Sequence, residues 1–139
     1  MTKQKRGNPE TREQIELFKW LRANSGKYPV LLKPYAIPNG EKRDKVTAGI
    51  LKAAGVQAGV WDIFVPNDQT KVPTPFSMYI EMKAPGRASQ GDKALSQEQR
   101  DFRTRNGDGF YYSVCFTWIE AAKDICWFYG LLELRDTLK

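Results

Sequence analysis

Two acids and a lysine set in apolar company have the clearest capacity for chemistry in this sequence. Asp62 interrupts the run Val60-Trp61-Asp62-Ile63-Phe64-Val65, which reads as a buried strand from Val60 to Val65. An ionised carboxylate in the middle of such a strand is costly unless it is paired or bound to a cation. The next apolar run, about Phe76 to Lys83, repeats the anomaly with Glu81 and Lys83. Two residues apart on a strand, these side chains leave the same face of a sheet. If the two runs pair as an antiparallel hairpin, Asp62 approaches Glu81 near their ends. Acids that close repel each other unless a divalent cation lies between them. Oxygen donors without histidine or thiolate point to Mg²⁺ or Mn²⁺. Lys83 can then orient an attacking water, or help remove its proton, for in-line attack on a phosphodiester. A Glu-x-Lys by itself reads more readily as an ion pair on a half-exposed strand; the acid on the neighbouring strand reverses that preference.

Composition narrows the alternatives. The chain has 139 residues and no histidine, which excludes Ser-His-Asp and Cys-His hydrolases, Cys/His zinc sites and nucleases with a histidine base. Its 22 Lys+Arg against 16 Asp+Glu give a formal net charge of +6. That excess asks for an anionic partner, with nucleic acid the usual one and a bland basic surface the competing reading. At 41% hydrophobic and 27% charged residues, the chain reads as one soluble globular domain rather than a disordered segment. No apolar run approaches the roughly 18 residues of a membrane span. The basic N-terminus leads into polar residues and does not read as a signal peptide. Cys115 and Cys126 are too few for a disulfide framework; they read as small core residues and point to an intracellular compartment.

The elements that must position the three residues follow from caps and breakers. Residues 1–8 read as a basic arm, and 9–139 as a single domain. Asn8-Pro9 marks the start of a helix to about Asn24, with Glu10, Gln14, Leu17 and Leu21 on one stripe. Residues 28–58, broken by prolines and by Asn39-Gly40, read as short extended pieces and turns, with a short helix near Thr47–Ala54 stopped by Gly55. Asn67 to Pro75 is a turn region, and Ala84 to Leu95 a mobile basic loop. Ser96-Gln97-Glu98-Gln99 has a capping-box pattern opening a helix to about Arg105, and Thr117-x-x-Glu120 caps the last helix. Phe110 to Thr117 between them is a third strand. The expected order is helix, strand, strand, helix, strand, helix: a small α/β domain. Trp127-Phe128-Tyr129 reads as core, or as the cover of a dimer interface.

Asp62 with Glu81-Met82-Lys83 resembles the PD-(D/E)XK nuclease signature, and the surrounding residues narrow the resemblance. Gly55-Val56-Gln57-Ala58-Gly59-Val60-Trp61-Asp62-Ile63 resembles the Gly-Val-x-x-Gly-x-Pro-Asp-hydrophobic segment of the VRR-NUC (virus-type replication–repair nuclease) family, with Trp61 in place of proline. Ile80-Glu81-Met82-Lys83 is similar to its Ile-Glu-x-Lys strand, and Leu95-Ser96-Gln97-Glu98-Gln99 to its Leu-Ser-x-x-Gln helix start. Ile37-Pro38-Asn39-Gly40 resembles its Pro-Asn turn, and Glu10-x-x-x-Gln14 its first-helix Glu and Gln.

The resemblance implies a restriction-endonuclease-like α/β fold with a small mixed sheet flanked by helices. It implies Asp62 and Glu81 as metal ligands, Lys83 as the catalytic lysine, Glu10 as a further active-site acid, and Gln99 and Gln14 as active-site polar residues. As residues in a helix first turn and a capping box, Glu10 and Gln99 also have purely structural readings. Lys93, Arg100, Arg103 and Arg105 are expected near the site as phosphate contacts. The implied activity is a Mg²⁺- or Mn²⁺-dependent endonuclease leaving 5′-phosphate and 3′-hydroxyl ends in branched DNA. A homodimer resolving four-way (Holliday) junctions is the first expectation, in recombination and repair in the cytoplasm of a bacterium or phage-infected cell. A flap-, nick- or end-processing nuclease of the same fold is the first alternative, and a non-catalytic DNA-binding module the second.

Overall fold

The Asn8 side chain accepts the Thr11 amide at 2.9 Å, and with Pro9 it starts α1 (Pro9–Asn24) where the sequence predicts it. The computed structural model describes residues 8–38, 44–68 and 76–139. The basic arm up to Gly7, the Asn39-Gly40 pair and most of the expected turn before Phe76 lie outside these residues. Along α1, Leu17 and Leu21 are buried, while Glu10 and Gln14 at the other end of the stripe are half-buried.

A 3₁₀ turn at Pro29–Leu32 leads to β1 (Tyr35–Ala36). This strand is one of the short extended pieces expected here, though two residues between prolines carry no alternation that would mark it as part of the sheet. The short helix α2 (Lys45–Ala53) starts two residues earlier than its apolar pattern suggests, because Asp44 caps it by accepting the Thr47 amide at 2.7 Å. Gly55, at φ 103°, ends it.

The hairpin is present: β2 (Ile63–Val65) pairs antiparallel with β3 (Ser77–Met82). One expectation needs correction. Asp62 is not in mid-strand; it directly precedes β2 and is only half-buried, since the chain is still emerging from a turn at Gly59, whose φ is +78°. The stretch expected as a loop between Ala84 and Leu95 instead carries 3₁₀ turns over Pro85–Ala94, kinked at Gly91. Its polar composition hid turns that Arg87 helps to close by donating to the Ala94 carbonyl at 3.3 Å.

Ser96 and Gln99 make both bonds of the predicted capping box at the head of α3 (Gln97–Asn106). After it, β4 (Phe110–Cys115) lies parallel to β3. Thr117 caps α4 (Trp118–Phe128) as expected, but the Glu120 carboxylate returns to the Phe116 amide, at 3.0 Å, one residue before the cap. A further helix, α5 (Leu132–Asp136), follows what the sequence presents as the last one.

The result is a mixed four-stranded sheet in the order β1-β2-β3-β4, flanked by helices. One face carries Ile63, Val65, Met78, Ile80 and Met82 into the main core with residues of α1, α4 and α5. The opposite face carries Tyr79, Tyr112 and Val114 against a smaller core of Trp61, Leu95 and Phe102, which seats α3. Cys115 and Cys126 are buried core residues, as are Phe128 and Tyr129, whereas Trp127 is 51% exposed. Among the described residues, no helix is long and apolar enough to cross a membrane.

Candidate active site

The antiparallel register that pairs Ile63 with Ile80 brings the residue before β2 opposite the penultimate residue of β3. There the Asp62 amide donates to Glu81 Oε1 at 3.1 Å, and the Met82 amide donates to Asp62 Oδ2 at 3.0 Å. Each backbone thus holds the other strand's carboxylate, which fixes both acids without rotamer freedom. Glu81 is 3% exposed and Lys83 9%. Lys83 Nζ lies 3.5 Å from Glu81 Oε2, so the pair expected on one face of β3 is formed and buried.

Gln99 reaches the same oxygen. Its Nε2 donates to Glu81 Oε2 at 2.7 Å, while its Oε1 accepts the Ser96 amide at 2.8 Å. One side chain therefore performs both roles that the sequence leaves open, capping α3 with its oxygen and holding Glu81 with its nitrogen.

Electrostatics distinguish the two acids. The Glu81 carboxyl is pushed up to about 8, first by burial and then by the charge of Asp62, with Lys83 pulling the other way. Burial also raises Asp62, against the Met82 amide, a side-chain hydrogen bond with Glu81 and the charge of Lys83. The smallest upward push on Asp62 comes from Glu10, so the N-terminal turn of α1 is electrostatically part of this site. Both carboxyls are thus raised by burial and mutual proximity, which favours a proton or a cation between them.

Two oxygen ligands and no nitrogen or sulfur suit a hard divalent ion that keeps most of its shell for water and phosphate. Among the described residues no group of three or more His, Cys, Asp or Glu side chains is arranged to hold a metal. Asp62 and Glu81 are the two carboxylates brought together here that could hold one.

Other predicted residues are placed elsewhere. Gln14 lines a groove with Thr11, Phe18, Leu31 and Tyr35 at the margin of the sheet. The arginines among the four basic residues make bonds around α3. Arg103 pairs with Asp92 at 3.2 Å, Arg105 donates to Gln57 at 3.1 Å, and Arg100 donates to the Lys93 carbonyl at 3.4 Å.

Sequence reasoning missed two supports. The buried Trp61 indole donates to the Gln99 carbonyl at 3.0 Å, and so ties the segment before Asp62 to the helix that holds Glu81. Gly59 lies against the Glu98 and Gln99 backbone, where a Cβ would collide with the Glu98 carbonyl. Trp61 stands out in sequence only as a departure from a proline, and Gly59 only as a turn residue. No protein-family model, curated protein or solved structure matches this chain.

Proposed function

We propose that the chain is a divalent-metal-dependent, structure-specific DNA endonuclease of the VRR-NUC type within the PD-(D/E)XK superfamily, acting on branched DNA. One observation carries the reading: Asp62 and Glu81, from neighbouring strands, are locked together by reciprocal backbone bonds with the Lys83 ammonium 3.5 Å from Glu81. A structural ion pair needs one acid; the second, half-buried acid adds negative charge that Lys83 alone does not balance. The mixed sheet between helices is also the architecture that the sequence resemblance implies.

Held by Asp62 and Glu81, Mg²⁺ or Mn²⁺ would lower the pKa of a water and screen the charge developing on phosphorus. Lys83 orients that water or assists removal of its proton. Gln99 keeps Glu81 Oε2 aimed, and the field of Glu10 adds to the local demand for a cation. Attack in line with the leaving 3′-oxygen breaks the phosphodiester and leaves 5′-phosphate and 3′-hydroxyl ends. Two such sites in a homodimer would address the two strands of a four-way junction; a monomer suits flaps, nicks or ends.

The test is cleavage of end-labelled four-way junction, flap and linear duplex DNA with Mg²⁺, Mn²⁺ or EDTA, alongside Asp62→Ala and Lys83→Ala proteins. Metal-dependent cutting lost by about 10²–10³-fold or more in both variants is expected. Symmetric junction cutting supports the resolvase form, and flap or end cutting alone the processing form. Metal-independent binding without cutting would leave a DNA-binding module.

A further inference from the structure

A row of aromatic rings crosses the sheet one strand at a time. Tyr35 on β1, Phe64 on β2, Tyr79 on β3 and Tyr112 on β4 are register partners. Their ring centroids are separated by 5.7, 5.0 and 6.2 Å along the row. Phe64 stands two residues from Asp62, and Tyr79 two residues from Glu81. The strand period therefore puts the row and the two acids on one face, one side-chain step apart or roughly 7 Å.

The two ends of the row differ. At the β3–β4 end α3 covers it, with Phe102 edge-on to Tyr79 at 5.1 Å. At the β1–β2 end Tyr35 and Phe64 belong to neither core cluster, and Tyr35 is 53% exposed. Tyr35, open to solvent beside the half-buried Phe64 and next to a buried charged site, leaves an aromatic surface that can take an occupant. Charge and ring geometry select one. The chain carries a net charge of +6, which favours a polyanion. Adjacent aromatic rings suit planar apolar faces, and bases within a duplex offer none because they already stack on each other.

We propose that Tyr35 and Phe64 stack the unpaired bases of the strand whose phosphate reaches Asp62 and Glu81, so that the substrate carries a single-stranded segment beside the cut. This rests on the nuclease reading above and specifies its substrate class.

The test compares labelled oligo(dT), an abasic strand of equal length and a duplex by fluorescence anisotropy in EDTA. It uses the full chain, Tyr35→Ala and Tyr35→Trp; Tyr35 is exposed enough for both to fold, which thermal melts check. We expect oligo(dT) to bind about tenfold more tightly than the abasic strand, the worth of one or two stacked bases. Tyr35→Ala should erase most of that ratio and Tyr35→Trp should keep it, with abasic binding unchanged in both. Equal binding of oligo(dT) and the abasic strand overturns the proposal, as does Tyr35-dependent self-association in sedimentation, which would make a second copy the occupant. A parallel Mg²⁺ cleavage assay separates the two readings. Cutting with base-independent binding sinks only the stacking row, whereas base-dependent binding without cutting sinks the nuclease and leaves the row on a binding protein.

Discussion

Glu81 is where the chemistry of this protein is most exposed to experiment, because its carboxyl is raised to about 8 by burial and by Asp62. A cation entering the pair competes with a proton there, so cation affinity and cutting should both rise with pH up to about 8 and then level off. Titrating Mg²⁺-dependent cleavage between pH 6 and 9 checks this, and a flat profile would count against the paired-acid site. Gln99 gives a second prediction at this scale. It touches no reacting atom but orients a proposed ligand, so Gln99→Ala should lower cation affinity or cutting about 10- to 100-fold. Gln99→Glu should do more harm, since it replaces the donor to Glu81 Oε2 with a third acid. If Gln99→Ala cost only the stability of a lost helix cap, about 1 kcal/mol, and left cutting intact, the capping role would be its whole function.

At the scale of elements, the site depends on how closely α3 docks on the segment before β2. Gly59 needs its positive φ and has no room for a Cβ against the Glu98 carbonyl. Gly59→Ala should therefore destabilise the fold by of order 2–4 kcal/mol and reduce activity in whatever protein still folds, because α3 carries Gln99. Trp61→Phe is the gentler probe. It keeps most of the packing in the small core and removes the bond to the Gln99 carbonyl, at a cost of about 1–2 kcal/mol. We expect a lower melting temperature together with weaker cation binding; a stability loss with unchanged cation affinity would mean that α3 is held by packing alone.

For the whole molecule, the same pair sets a pH dependence of folding. Glu81 has a folded-state pKa above its ordinary value of 4.5, so the native protein binds more protons than the unfolded chain between about 4.5 and 8. Stability from this group is complete below 4.5 and is lost as pH rises through about 8. Asp62 is shifted in the same direction. Metal-free protein should thus lose of order a few kcal/mol between pH 5 and 8. Mg²⁺ should restore more stability at pH 8 than at pH 6. Thermal melts of the native chain and of Glu81→Gln decide it: the variant, neutral at every pH, should show a much flatter profile and little response to Mg²⁺.

Much of this protein is determined locally and was legible in the sequence. The Asn8 cap, the Ser96–Gln99 box and the Thr117 cap mark helix starts because a cap needs only its own first turn. The hairpin, and the placement of Glu81 with Lys83 on one face, follow from the two-residue period of a strand. Asp62 was recognisable as an acid where burial makes an acid expensive. The remainder depends on residues far apart in the chain. The two-residue β1 exists because β2 offers it a partner, and β2 starts at Ile63 because the turn at Gly59 ends just before it. Gln99 faces Glu81, and Trp61 faces Gln99, because α3 packs across the sheet on Leu95 and Phe102. Arg103 pairs with Asp92 and Arg105 with Gln57 because the turn before α3 and the segment before β2 fold against that helix. Short-range geometry repeats with a period that a sequence displays; a contact between distant segments depends on how whole surfaces fit, and no period records it.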